Sequence, residues 1–64
     1  MRDRDRKFLL NGRLVLGTEK QVLDELAFEH YPVAVDAGEG ERVFDSFDEA
    51  REFVRSVFAA SFGE

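Results

Sequence analysis

An Asn-Gly pair set between two apolar runs constrains this chain more than any other feature. Lys7-Phe8-Leu9-Leu10 and Arg13-Leu14-Val15-Leu16 stand on either side of Asn11-Gly12. Asn and Gly tolerate the positive φ that both central positions of a type I′ turn require, so the segment reads as a two-residue β-hairpin. The turn dictates the register: Leu10 faces Arg13, Leu9 faces Leu14, Phe8 faces Val15 and Lys7 faces Leu16. One face of the hairpin then carries Leu9, Leu14 and Leu16, and the other Phe8, Leu10 and Val15. Both are apolar, whereas a hairpin with one solvated face alternates apolar with polar residues.

After Gly17, Thr18 and Gln21 have the spacing of a capping box, which satisfies backbone donors left over in a first helical turn. A helix is expected from there to near Tyr31, where Pro32 disfavours helical geometry in the residue before it. Val22, Leu23, Leu26, Ala27 and His30 form its apolar stripe, and Lys20 and Asp24 can pair across one turn. Val33-Ala34-Val35 reads as a third strand and Arg42-Val43-Phe44 as a fourth. They are joined by the glycine-containing turn Asp36-Ala37-Gly38-Glu39-Gly40-Glu41.

Ser46 and Glu49 form a second capping box, with Asp48 and Glu49 at the positive end of the helix dipole. From Phe47 to Phe62 the residues segregate on a helical wheel. Phe47, Ala50, Phe53, Val54, Val57, Phe58 and Phe62 fill one half, and Asp48, Glu49, Arg51, Glu52, Arg55 and Ser56 the other. That apolar arc spans about 180°, against the ~100° of an ordinary surface helix. The order of elements is therefore ββαββα. The expected fold class is α+β: a four-stranded, mainly antiparallel sheet with two helices packed on one face. Residues 1–6 alternate Arg and Asp without an apolar anchor and read as a disordered tail, with residues 7–64 as a single domain.

The chain has 64 residues and no cysteine. A chain so short buries only about 60% of the surface its unfolded form exposes. With disulfides and thiolate metal sites excluded, association is the remaining common support for a small core. The lack of cysteine fits a cytoplasmic location. No apolar run approaches the ~20 residues of a membrane-spanning helix.

The net charge of −5 is uneven. Residues 1–17 hold five basic and two acidic side chains, a net +3; residues 18–64 hold four basic and twelve acidic, a net −8. An acidic body repels phosphates, so nucleic acid is not an expected partner. No nucleophile stands at a spacing that implies activation, and His30, the one histidine, belongs to no triad or metal set. The Asp36–Glu41 turn lacks the ligand spacing of a calcium loop. We therefore assign no catalytic, cofactor-binding or metal-ligating residue and expect no enzyme.

The chemistry that remains is apolar surface. Phe28 falls on the outward side of the first helix: it is an exposed aromatic anchor for a partner, or the helix ends early, or Phe28 tucks under a loop. Phe8, Leu10 and Val15 form either an exposed hairpin face or one that the last helix covers. The arc of that helix, ending in Phe58 and Phe62, is wider than one sheet face fills. The expectation is a small non-catalytic protein–protein interaction or regulatory module that associates with itself. Phe8, Leu10, Val15, Phe28, Phe58 and Phe62 are its expected contacts, on a homodimer or another protein partner. The alternative is an acidic inhibitor that mimics nucleic acid, of mobile-element or phage type.

Overall fold

The first hairpin forms in the register that its turn dictates. The computed structural model describes residues 5–62. In it β1 (Arg6–Leu10) and β2 (Arg13–Gly17) pair antiparallel, with Phe8 opposite Val15 and Leu9 opposite Leu14. Asn11 and Gly12 both have positive φ, 52° and 83°. They are followed by α1 (Glu19–Ala27), β3 (Val33–Asp36), β4 (Glu41–Phe44) and α2 (Phe47–Phe62). The ββαββα order and the antiparallel four-stranded sheet are those expected from the sequence. Residues 1–4 lie outside the described residues, and β1 begins at Arg6, one residue before the expected Lys7.

Both helices begin with a side-chain cap. The Thr18 hydroxyl accepts from the Gln21 N–H and the Gln21 side chain accepts from the Thr18 N–H, so two orphan donors of α1 are satisfied reciprocally. Gln21 lies so close to Gly17 that a Cβ there would stand 2.5 Å from its Oε1. Gly17 is thus the residue that lets the strand run straight into the cap. At α2 the Ser46 hydroxyl accepts from the Glu49 N–H.

Helix α1 is shorter than its apolar stripe suggests. It ends at Ala27, with Phe28 as its C-cap. Val22 and Leu26 are buried, whereas Ala27 and His30 are exposed. The Leu26 carbonyl at the helix end accepts from the Glu29 N–H at 3.2 Å and from the Tyr31 hydroxyl at 2.7 Å.

The strands lie in the order β2-β1-β3-β4. The central seam between β1 and β3 has only two register pairs, Leu9 with Asp36 and Leu10 with Val35. Strand pairing assigns Phe8, Leu10, Val15, Val33, Val35 and Phe44 to one side of the sheet. That side is the covered one. Phe8, Leu10, Val15, Val33 and Val35 are buried together with Val22 and Leu26 of α1 and Ala50, Val54 and Phe58 of α2. The Phe8 and Phe58 rings stack at 5.7 Å between centroids.

The wide apolar arc of α2 is accommodated within the chain. Its centre, Ala50, Val54 and Phe58, is fully buried. Its flanks, Phe47, Phe53 and Val57, are half-buried against the core. Phe53 meets Phe44 at 5.3 Å under the Arg42 guanidinium, and Arg51 lies over Phe47. The accessible surface is 4210 Å² for 7.3 kDa, close to the ~4200 Å² of an ordinary folded monomer of that mass.

Removing one ring of the Phe8–Phe58 stack should be severe. Phe58→Ala is expected to cost about 3–5 kcal/mol, comparable with the whole stability of a domain this small. Circular dichroism should find Phe58→Ala largely unfolded at 25 °C and Phe58→Leu still folded with a lower Tm.

Candidate functional site

The sheet has a second face, and among the described residues no element covers it. Register places Lys7 and Leu9 of β1, Leu14 and Leu16 of β2, Ala34 and Asp36 of β3, and Glu41 and Val43 of β4 there. Leu14, Leu16 and Val43 expose 59%, 65% and 63% of their surface, and Leu9, on a central strand, 38%. A shallow depression of about 370 Å³ opens beside Leu9 and Leu14 and is bounded by Lys7, Asp36 and the turn glycines Gly38 and Gly40. That turn is held by an Asx contact, the Gly38 N–H donating to Asp36 Oδ1 at 2.7 Å.

This placement corrects the expected contact residues. Phe8, Leu10, Val15 and Phe58 are buried in the chain's own core, because both helices lie on the Phe8 side of the first hairpin and Phe58 stacks on Phe8. The contiguous apolar surface left open is the opposite face, Leu9, Leu14 and Leu16. Phe28 is 88% exposed at the end of α1 and is not tucked under a loop. It gets there by the early end of the helix. The side chain of Phe62 lies outside the described residues.

Sequence reasoning missed Leu9, Leu14, Leu16 and Val43 as contact candidates. Val33 and Val35 were the available signal. They mark one face of β3 as apolar, while Ala34 and Asp36 mark the other as mixed.

A polar junction holds the hairpin turn to the second half of the chain. The Asn11 N–H donates to the Ala34 carbonyl at 2.7 Å, and the Ala34 N–H donates to Asn11 Oδ1 at 3.0 Å. Asn11 Nδ2 donates to Glu29 Oε1 at 3.0 Å. Arg13 completes the network, reaching Glu25 at 2.8 Å and Glu29 at 2.6 Å. The hydrogen bond from Arg13, and then that from Asn11, hold the Glu29 carboxyl below its ordinary value of 4.5. The same pairing raises Arg13.

Nothing in this arrangement resembles a reaction centre. The titratable groups brought together are an arginine with two carboxylates at a surface, with no nucleophile against them. Among the described residues no three His, Cys, Asp or Glu side chains gather as a metal site, and no helix is long and apolar enough to cross a membrane. No family model matches the chain, and neither does any curated protein or solved structure.

Two measurements probe the junction. Because the folded Glu29 carboxyl sits below its ordinary value, its contribution is present above about pH 4.5 and is lost as pH falls through the folded value. The urea midpoint should therefore drop on acidification below pH 4.5, and Glu29→Gln should flatten that part of the profile. Asn11→Ala should cost about 1–3 kcal/mol at neutral pH, from the left-handed backbone together with the lost side-chain bonds.

Proposed function

We propose that this protein is a small non-catalytic interaction module that associates with itself through the open side of its first hairpin. One observation carries the reading: the first hairpin is apolar on both faces, and the described helices cover only one. Leu9, Leu14 and Leu16 remain as a patch on a chain whose core is otherwise closed. Contiguous apolar surface of this kind marks contact with another molecule, whereas scattered single leucines do not.

Charge distribution supports a protein partner over a nucleic acid. The body of the chain is acidic, and the open face carries Lys7 beside Asp36 and Glu41. A face with both signs of charge around an apolar centre suits a self-complementary contact. The reading of the protein as a nucleic-acid mimic draws less support. Asp24, Asp48, Glu52 and Glu19 each have a lysine or arginine within 4 Å, which breaks up the negative field that mimicry needs.

Sedimentation velocity from about 1 µM to about 1 mM tests the reading, since weak association lies in that range. The weight-average mass should rise from 7.3 kDa towards twice that value. A double variant, Leu14→Lys with Leu16→Lys, should remain monomeric throughout while keeping its helical circular dichroism. A wild-type chain that stays monomeric at the highest concentration would overturn it.

A further inference from the structure

We infer that the self-association joins two copies edge to edge at β2, antiparallel about a two-fold axis at Val15, so that two four-stranded sheets become one of eight. The inference rests on the self-association reading and specifies its geometry.

β2 is an outer strand of the sheet. Which of its backbone groups are free follows from the turn. A two-residue hairpin closes on a pair that exchanges both backbone hydrogen bonds, here Leu10 with Arg13. Alternation then turns Arg13, Val15 and Gly17 towards β1. The other side of β1 agrees: the Asn11 N–H points to Ala34 of the segment forming β3, so odd-numbered residues face β3 and even-numbered ones β2. Leu14 and Leu16 therefore direct their N–H and C=O groups out along the free edge, and their side chains stand on the open face.

Exposed edges in soluble proteins are usually blunted by lysine, proline, a bulge or an inward-pointing charge. β2 pairs with β1 over five residues without a bulge, and its sequence Arg13-Leu14-Val15-Leu16-Gly17 has neither proline nor lysine. The other edge, β4, carries Glu41 and Arg42. β2 itself carries no acidic residue in a chain of net charge −5, and its Arg13 already pairs with Glu25 and Glu29 of α1.

The occupant that fits is a second β2. With Val15 opposite Val15, Leu14 lies opposite Leu16 of the second copy, and Arg13 lies opposite Gly17, which has no side chain to obstruct it. Leu14 and Leu16 exchange two hydrogen bonds with Leu16 and Leu14 of the second copy on each side of the axis, four in all. The six leucines at positions 9, 14 and 16 then form one stripe across the joint. Such a joint buries less than the ~800 Å² per partner of a standard interface, so the dimer should be weak.

Chemical synthesis of the chain with N-methyl-leucine at position 14 blocks an outward N–H while keeping the side chain and every bond to β1. It should weaken the dimer roughly ten-fold or more. Leu9→Lys, in the middle of the open face and away from the edge, should leave the dimer intact. The opposite pattern, loss with Leu9→Lys and retention with the N-methyl chain, would overturn edge pairing in favour of stacked faces while leaving self-association standing. A wild-type chain that is monomeric throughout would overturn both.

A single cysteine in this cysteine-free chain reads the register. Residues facing each other at a non-hydrogen-bonded antiparallel position lie about 4.5 Å apart at Cα, within disulfide reach. Val15→Cys should cross-link two copies under mild oxidation, and the more exposed Phe28→Cys should not. Equal cross-linking of the two would overturn the proposed register.

Discussion

The fold hangs on a short seam. The chain is two hairpin–helix units, and they share a sheet only where β1 meets β3, over two register pairs. Asn11 lengthens that seam beyond the strand. Its backbone N–H and side-chain carbonyl together bond the peptide groups of Ala34 as a further strand residue would, while its φ of 52° turns the chain back into β2. One residue thus makes the turn of the first hairpin and ties it to the second. Asparagine suits both tasks, since it tolerates the left-handed region and its amide imitates a peptide. Glu29 and Arg13 extend the tie to the end of α1, so turn, strand and helix are fixed at one corner.

Arginines frame the covered face in the same manner. Arg13 lies on that face opposite Leu10 and reaches over to the carboxylates of α1. Arg42 lies on it opposite Val35 and spreads over the Phe53 ring of α2. Each guanidinium rests its stem on the sheet and its head on a helix, which covers the margin of a core too small to have a wide polar rim. These contacts lie at the surface, and each contributes little by itself. Their effect is to fix where the helices sit over an apolar centre of ten residues.

The sequence made the local features legible and left the choice between faces open. Hairpin register, both caps and the span of α2 follow from neighbours within four residues, where turn chemistry and periodicity act. The choice of the covered face does not. Phe8, Leu10 and Val15 compete with Leu9, Leu14 and Leu16, two sets of nearly equal hydrophobicity on one hairpin, and periodicity ranks neither. The decision is made far along the chain, by the Phe58 ring that stacks on Phe8, and by Val33 and Val35 on a strand that is not its sequence neighbour. The strand order β2-β1-β3-β4 is likewise set by long-range pairing. Phe28 shows the complementary case. Its place outside the core follows from the C-cap at its own position, one turn earlier than the apolar stripe implies.

A sheet with one bare apolar face and a bare edge invites open-ended assembly, and the distribution of charge bears on whether assembly closes. A joint between two β2 edges is isologous and uses up both of the edges that lack protection. What remains at the ends of the eight-stranded sheet is β4, with Glu41 and Arg42 along it. Each added copy would also bring a further −5 of charge, so repulsion grows with every step beyond the first. A weak, closed dimer is the state in which the leucine edge is satisfied.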